Sequence, residues 1–123
     1  MTRQIYNEEH HQFISRKIVA AAQSILSGEI GIIAGARRLS GLGDKVGSDR
    51  DPDFTFFVAL DSESDHLPIG EVRQRWNPEA LRAKDAEVAK FEAFYREKAF
   101  EICRRLISKK SKRWPLLRYL NAL

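Results

Sequence analysis

The densest group of side chains that could do chemistry lies in the run Asp61-Ser-Glu63-Ser-Asp65-His66. Oxygen ligands at alternating positions are the kind that Ca²⁺ or Mg²⁺ takes in proteins. The run lacks the glycine turn and the distal glutamate of a helix–loop–helix calcium site, and one histidine with a remote cysteine is no zinc ligand set. We therefore expect no metal or other cofactor and assign no catalytic residue. A metal-dependent hydrolase centred on residues 61–66 stays as an alternative.

The same run also has a structural interpretation. If residues 52–63 form a helix, Asp61 continues its apolar face, and a partly buried carboxylate needs a cationic partner. Arg37, Arg38, Arg73 and Arg75 are the cations we consider for that role. A ligand-facing patch is the functional interpretation. Its candidate binding residues are Asp61, Glu63, Asp65, His66, Glu71, Arg73 and Trp76.

A second candidate site is the basic end of the chain. The formal net charge is +4, and residues 104–123 hold seven Lys and Arg side chains and no acid. Such a segment can touch phosphates and stack bases, lie on an anionic membrane, or bind an acidic protein. The structural interpretation is a solvated helix end whose cations suit the helix dipole. The candidate residues are Arg104, Arg105, Lys109, Lys110, Lys112, Arg113 and Trp114.

A long helix must position both groups. Asn77 can cap it, Pro78 suits its first position, and no glycine or proline follows until Pro115. We predict a helix from residue 77 to about 107, which at 1.5 Å per residue is about 45 Å long. Its apolar face recurs at helical spacing and consists of Leu81, Val88, Phe91, Tyr95, Ala99, Ile102 and Leu106.

Three shorter helices are predicted before it, over residues 8–26, 29–42 and 52–63. Gly28 is a natural stop for the first helix, and Gly31 and Gly35 indicate close approach of another helix to the second. Residues 54–60 have a strand-like composition, but their polarity does not alternate and no second strand is evident. We predict a helix there, with Phe54, Phe57, Val58 and Asp61 on one face.

These elements predict an all-α fold, an irregular bundle of about four main helices with a long C-terminal spine. We expect one domain over residues 1–123, with 109–123 as a basic C-terminal segment. No stretch approaches the roughly 18 apolar residues of a membrane span, and residues 1–11 lack an apolar signal core. We therefore expect a cytoplasmic protein.

Three stretches in the middle of the chain form a pattern with Arg73 and Trp76, namely Ser27–Gly31, Ala36–Leu39 and Asp61–Gly70. In these residues the chain resembles small helical bacterial proteins of uncharacterised function. The resemblance covers residues 15–107, implies a bacterial source and supplies no catalytic residue. It directs attention to the segment from Asp61 to Trp76.

The leading functional hypothesis is a non-enzymatic protein-binding module. An immunity-type protein, which neutralises a toxin by covering it, is one form of this hypothesis, and the acidic segment 61–71 would then meet a basic partner. The alternatives are the metal-dependent hydrolase and nucleic-acid binding through the basic segment. Phe94 and Phe100 lie off the main apolar face of the long helix, which leaves a homodimer open.

Overall fold

The computed structural model describes residues 8–47 and 51–111 and is all-α, as predicted. No strand occurs in these residues. The main helices are α1 (Glu8–Ser27), α2 (Ile32–Lys45), α3 (Pro52–Glu63) and α4 (Pro78–Ser111), with a short 3₁₀ helix at Gly70–Arg75 between α3 and α4. The helix predicted over residues 52–63 is confirmed. None of the helices in the described ranges combines the length and apolarity that crossing a membrane requires.

The turn between α1 and α2 is set by Gly28, whose φ of +83° is a left-handed conformation that favours glycine. Its amide donates a hydrogen bond to the Ile25 carbonyl at 3.2 Å, and the Ile30 amide donates to the Ser24 carbonyl at 3.2 Å. Because these residues complete the turn that ends α1, α2 begins at Ile32. The predicted start at residue 29 was therefore too early.

Helix α3 begins at a cap that the sequence predicted. The Asp51 carboxylate accepts a hydrogen bond from the Asp53 amide at 2.9 Å, and Pro52 occupies the first turn. Phe54 and Phe57 are buried, but Val58 is 41% exposed, so its predicted place on the buried face was wrong. The buried face includes Leu60 instead, which lies three residues beyond Phe57.

Close packing explains two glycines of α2. A Cβ atom at Gly35 would overlap the Ile25 side chain of α1, and one at Gly43 would overlap the Phe54 ring of α3. Glycine therefore lets α2 lie close to both neighbouring helices, which confirms the predicted close approach at Gly35.

The core joins α1, α2 and α3 to the last third of α4. Ala99, Ile102, Cys103 and Leu106 of α4 are buried in it, and burial raises the pKa of the Cys103 thiol to about 12. The predicted apolar face of the long helix therefore faces the core at its C-terminal end. In contrast, no residue from 78 to 98 is buried. At 34 residues, α4 is about 51 Å long, and half-buried Phe91 and Tyr95 in its middle also pack against this core.

Candidate functional site

Arg37 of α2 binds the C-terminal end of α3. Its Nε lies 3.5 Å from Asp61 Oδ1, and its Nη2 donates hydrogen bonds to the carbonyls of Ser64 at 2.7 Å and Leu67 at 3.3 Å. The last carbonyls of a helix lack partners within the helix, so a guanidinium there satisfies them and suits the dipole. The structure thus places Asp61 in an interhelical contact that holds the end of α3 against α2.

Glu63 and His66 turn away from Asp61 and contact α4. The Tyr95 hydroxyl donates to Glu63 Oε1 at 2.9 Å, and His66 Nε2 lies 2.8 Å from Glu87 Oε2. The hydrogen bond with Glu63 raises the pKa of Tyr95, and the hydrogen bonds from His66 and Lys84 lower the pKa of Glu87. Together these contacts attach the end of α3 and the segment after it to α4.

A bidentate ion pair makes the next attachment. Arg73 of the 3₁₀ helix donates to both carboxylate oxygens of Asp85, with Nη1–Oδ1 at 2.6 Å and Nη2–Oδ2 at 3.1 Å. The hydrogen bonds that Arg73 donates lower the pKa of Asp85. We refer to residues 61–76 as the strap, because these contacts bind it to α4. Trp76 at its end is half-buried, whereas Asp65 and Glu71 are exposed.

The predicted binding residues therefore do not converge on one point. Asp61 faces α2, while Glu63, His66 and Arg73 contact successive positions of α4. Within residues 8–47 and 51–111, no group of three or more His, Cys, Asp or Glu side chains is placed to hold a metal ion. A hydrolase centred on residues 61–66 has no assembled ligand set in this arrangement.

The basic end of α4 takes part in a polar cluster that the sequence analysis missed. Arg105 Nη2 donates to Asp53 Oδ1 at 2.8 Å, and Lys109 Nζ lies 3.0 Å from Asp53 Oδ2 and 3.0 Å from Asp51 Oδ2. The Asp53 side chain is 7% exposed. Its pKa is lowered, chiefly by the hydrogen bond from Arg105, with burial opposing and Lys109 adding to the effect.

This cluster changes the interpretation of the basic segment. Arg105 and Lys109 are held by the carboxylates that begin α3, so their charge is largely compensated. Arg104 is exposed, and Lys110 Nζ lies 5.7 Å from the centroid of the Phe54 ring. The predicted residues Lys112, Arg113 and Trp114 lie outside the described residues. The sequence feature that would have indicated this cluster is the combination of two acids at the start of α3 with two cations one turn apart on α4.

A second missed contact joins α4 to the beginning of α2. Glu92 Oε2 accepts a hydrogen bond from the Ile33 amide at 3.0 Å, while Gly31 at the N-cap position has no side chain to do so. A Cβ atom on Gly31 would lie 2.7 Å from Glu92 Oε2, so glycine leaves room for the carboxylate. Glu92 therefore acts as the cap of α2 from another helix, where negative charge suits the dipole.

Comparison with known proteins places the chain in a family. No curated protein matches it. No solved structure matches it either. The chain belongs to the family described as protein of unknown function (DUF2489), which matches residues 2–106. The match contains the whole strap, which agrees with the resemblance to an uncharacterised family, and it ends before Lys109.

Proposed function

We propose that this chain, as a member of that family, is a non-enzymatic protein-binding module and that it contacts its partner through the first part of α4. The single observation that carries the proposal is that α4 has no buried residue from 78 to 98, although its last third is part of the core. A helix segment that has no buried residue offers a surface that the chain itself covers only in part.

The strap supports the assignment because it contacts this part of α4 through polar groups and leaves the Phe94 ring uncovered. Asp85, Glu87 and Tyr95 point toward the strap. Phe94 is 79% exposed, with its ring edge-on to Tyr95 at a centroid distance of 4.8 Å. A rigid exposed aromatic ring is the usual anchor of a protein interface, because it buries a large apolar area at small cost in side-chain entropy.

Short side chains also occur along this part of α4. Ala83, Ala86 and Ala93 are exposed, and Ala86 and Ala93 are seven residues apart, so these two share one side of the helix. Because the alanine side chain is short, a partner helix can approach the backbone of α4 closely there. We infer a partner that presents a helix and an apolar pocket for Phe94.

The exposed acids of the strap favour a partner with a basic surface. Asp65 and Glu71 are exposed, and a basic partner surface would meet them favourably and associate faster at low salt. An immunity-type role is one form of the proposal. In that form the partner is a toxin with a basic surface, and the module covers it in a one-to-one complex.

Site-specific photo-crosslinking tests the proposal in the native host. A photo-reactive phenylalanine analogue replaces Phe94 in one version of the chain and Phe13, which is exposed on α1, in a matched control. We expect one stoichiometric adduct from position 94 and none from position 13. No adduct at 94, or equal adducts at both positions, would contradict the proposal.

The purified partner then allows a quantitative test. Phe94→Asp places a charge where the anchor would be buried, and we expect at least a tenfold loss of affinity, about 1.4 kcal/mol, in calorimetry. Because the side chain is exposed, the variant should unfold at the same urea concentration as the wild type. If the adduct at position 94 is a second copy of this chain, light scattering will show a dimer and the proposal of a separate partner fails.

The two alternatives have direct tests but no supporting contact among the described residues. Nucleic-acid binding through the basic segment predicts salt-sensitive binding that disappears when the chain is cut after Ile107. The metal-dependent hydrolase predicts a thermal shift with Mg²⁺, Mn²⁺, Ca²⁺ or Zn²⁺ that disappears in the Asp65→Asn variant.

A further inference from the structure

A basic cleft lies between α1 and α2, apart from the strap and from the exposed face of α4. Its volume is about 460 Å³, and Lys17 of α1 with Arg38 and Lys45 of α2 line it. Buried Ala21 and half-buried Leu42 also line the cleft. No carboxylate lies among the lining residues, so the cleft carries three formal positive charges above a partly apolar wall.

These three cations differ from several others in the chain, which have acidic partners. Arg37, Arg73 and Arg105 each pair with a carboxylate. In the described part of the chain, no salt bridge involves Lys17, Arg38 or Lys45. Positive charge that has no ion-pair partner and is concentrated in a concave surface raises the local concentration of anions.

Lys17 is positioned without losing its hydrogen-bond donors. Its Nζ lies 4.9 Å from the centroid of the Phe13 ring, one turn earlier on α1. A cation–π contact orients the ammonium but leaves N–H groups available for phosphate oxygens. Arg38 and Lys45 are seven residues apart on α2, so they share one side of the helix about 10 Å apart along its axis. The three groups can therefore bind an anion with several charges.

We propose that this cleft binds a phosphate-bearing small molecule of nucleotide size with at least two negative charges. The cleft volume lies in the range of small-molecule sites, about 300–1,000 Å³. Arg and Lys side chains are the usual phosphate ligands, and the apolar wall of Ala21 and Leu42 suits the base or another flat part of the molecule.

Acidic groups near the cleft favour a compact anion over a continuous nucleic-acid backbone. Ser24, which lines the cleft, donates a hydrogen bond from Oγ to Glu29 Oε1 at 3.2 Å, so a carboxylate lies just beyond it. Asp44 is exposed beside Lys45 in the sequence. A basic stripe along the surface is the typical footprint of a nucleic-acid interface, and these carboxylates interrupt such a stripe.

Titration calorimetry with three probes tests the proposal on the full chain. The probes are ATP without metal, inorganic pyrophosphate and a short single-stranded DNA. We expect saturable one-to-one binding of ATP, weaker binding of pyrophosphate, and DNA binding weaker still per site. The Arg38→Ala/Lys45→Ala variant should lose at least tenfold in ATP affinity. Arg16→Ala, which removes an exposed cation of α1 outside the cleft, should change it less than twofold.

Unchanged circular dichroism of both variants will show that lost binding does not reflect lost folding, since Arg38 and Lys45 are exposed and make no salt bridge there. Three results would overturn the proposal. One is no saturable ATP binding below about 1 mM. Another is an equal loss of affinity in the Arg16 variant, which would show a general charge effect. The third is DNA binding tighter than ATP binding and abolished by the double substitution, which would assign the cleft to nucleic acid.

Discussion

Arg105 and Asp53 join the last turns of α4 to the first turn of α3. Arg105 Nε lies 3.2 Å from each carboxylate oxygen of Asp53, and Nη2 lies 2.8 Å from Oδ1. Arg105 also contacts Glu101 on its own helix at 3.3 Å. The same guanidinium therefore binds one nearly buried acid and one exposed acid. The contributions of these two ion pairs to stability can be compared directly.

The first prediction concerns the free energy of unfolding. Asp53→Asn keeps the shape of the side chain but removes its charge, and we expect a loss of about 2 kcal/mol because hydrogen bonds to charged groups contribute roughly 1.5–3 kcal/mol. Glu101→Gln is the matched control, and its exposed ion pair should contribute less than about 0.5 kcal/mol. Urea unfolding measures both. Equal losses of unfolding free energy in the two variants would show that burial of Asp53 does not strengthen its ion pair with Arg105.

The second prediction is that the difference in unfolding free energy between the wild type and Asp53→Asn depends on pH. The hydrogen bonds from Arg105 and Lys109 place the folded-state pKa of Asp53 below its ordinary value of about 3.9. The unfolded chain therefore takes up the proton first as the pH falls. The stabilisation is complete above the unfolded-state pKa and is lost as the pH falls toward the folded-state pKa.

Urea unfolding of the wild type and Asp53→Asn at several pH values measures this loss. The two should differ by a constant amount from neutral pH to about pH 5 and converge below about pH 4. The lowered pKa values of Asp85 and Glu87 act in the same direction in both proteins, so they cancel in the comparison. A difference that grows at acid pH would contradict the prediction.

The third prediction uses two glycines of α2 with different surroundings. Gly35→Ala should destabilise the protein by about 1–3 kcal/mol, because the added methyl group overlaps the Ile25 side chain in a packed interface. Gly41→Ala should stabilise it by about 0.5–1 kcal/mol, because nothing lies within 4 Å of the new Cβ and alanine is the better helix former. Urea unfolding measures the sign of each change. Stabilisation by both substitutions would show that α1 and α2 are not closely packed there.

The sequence was sufficient to predict which segments are helical, because helix caps and apolar periodicity depend on residues close together in the chain. Asp51 and Pro52 marked the start of α3, and Gly28 marked the end of α1. The face of α3 was partly wrong at Val58, because a short helix rich in apolar residues has no clear polar side. The start of α2 was predicted too early, because the turn that ends α1 continues past Gly28 to Ile30.

The candidate sites depended on contacts that sequence spacing does not reveal. Acids and cations of residues 61–76 are adjacent in sequence, but their partners come from α2 and α4. Arg105 looked like part of an uncompensated basic end, yet its partner Asp53 lies 52 residues earlier. The cleft between α1 and α2 was not predicted, because Lys17 and Arg38 belong to different helices whose relative placement only the fold determines.

The last prediction concerns the cap that α4 supplies to α2. Glu92→Ala removes the acceptor of the Ile33 amide, and we expect a loss of about 1 kcal/mol, as for other lost helix caps. Hydrogen exchange of the Ile33 amide should accelerate, because that amide loses its partner. Glu92→Gln retains an acceptor and should cost less. Glu97→Ala removes an exposed acid from the same helix and should leave both the stability and the Ile33 exchange rate unchanged. If Glu92→Ala and Glu97→Ala behave alike, the carboxylate of Glu92 does not cap α2 in solution.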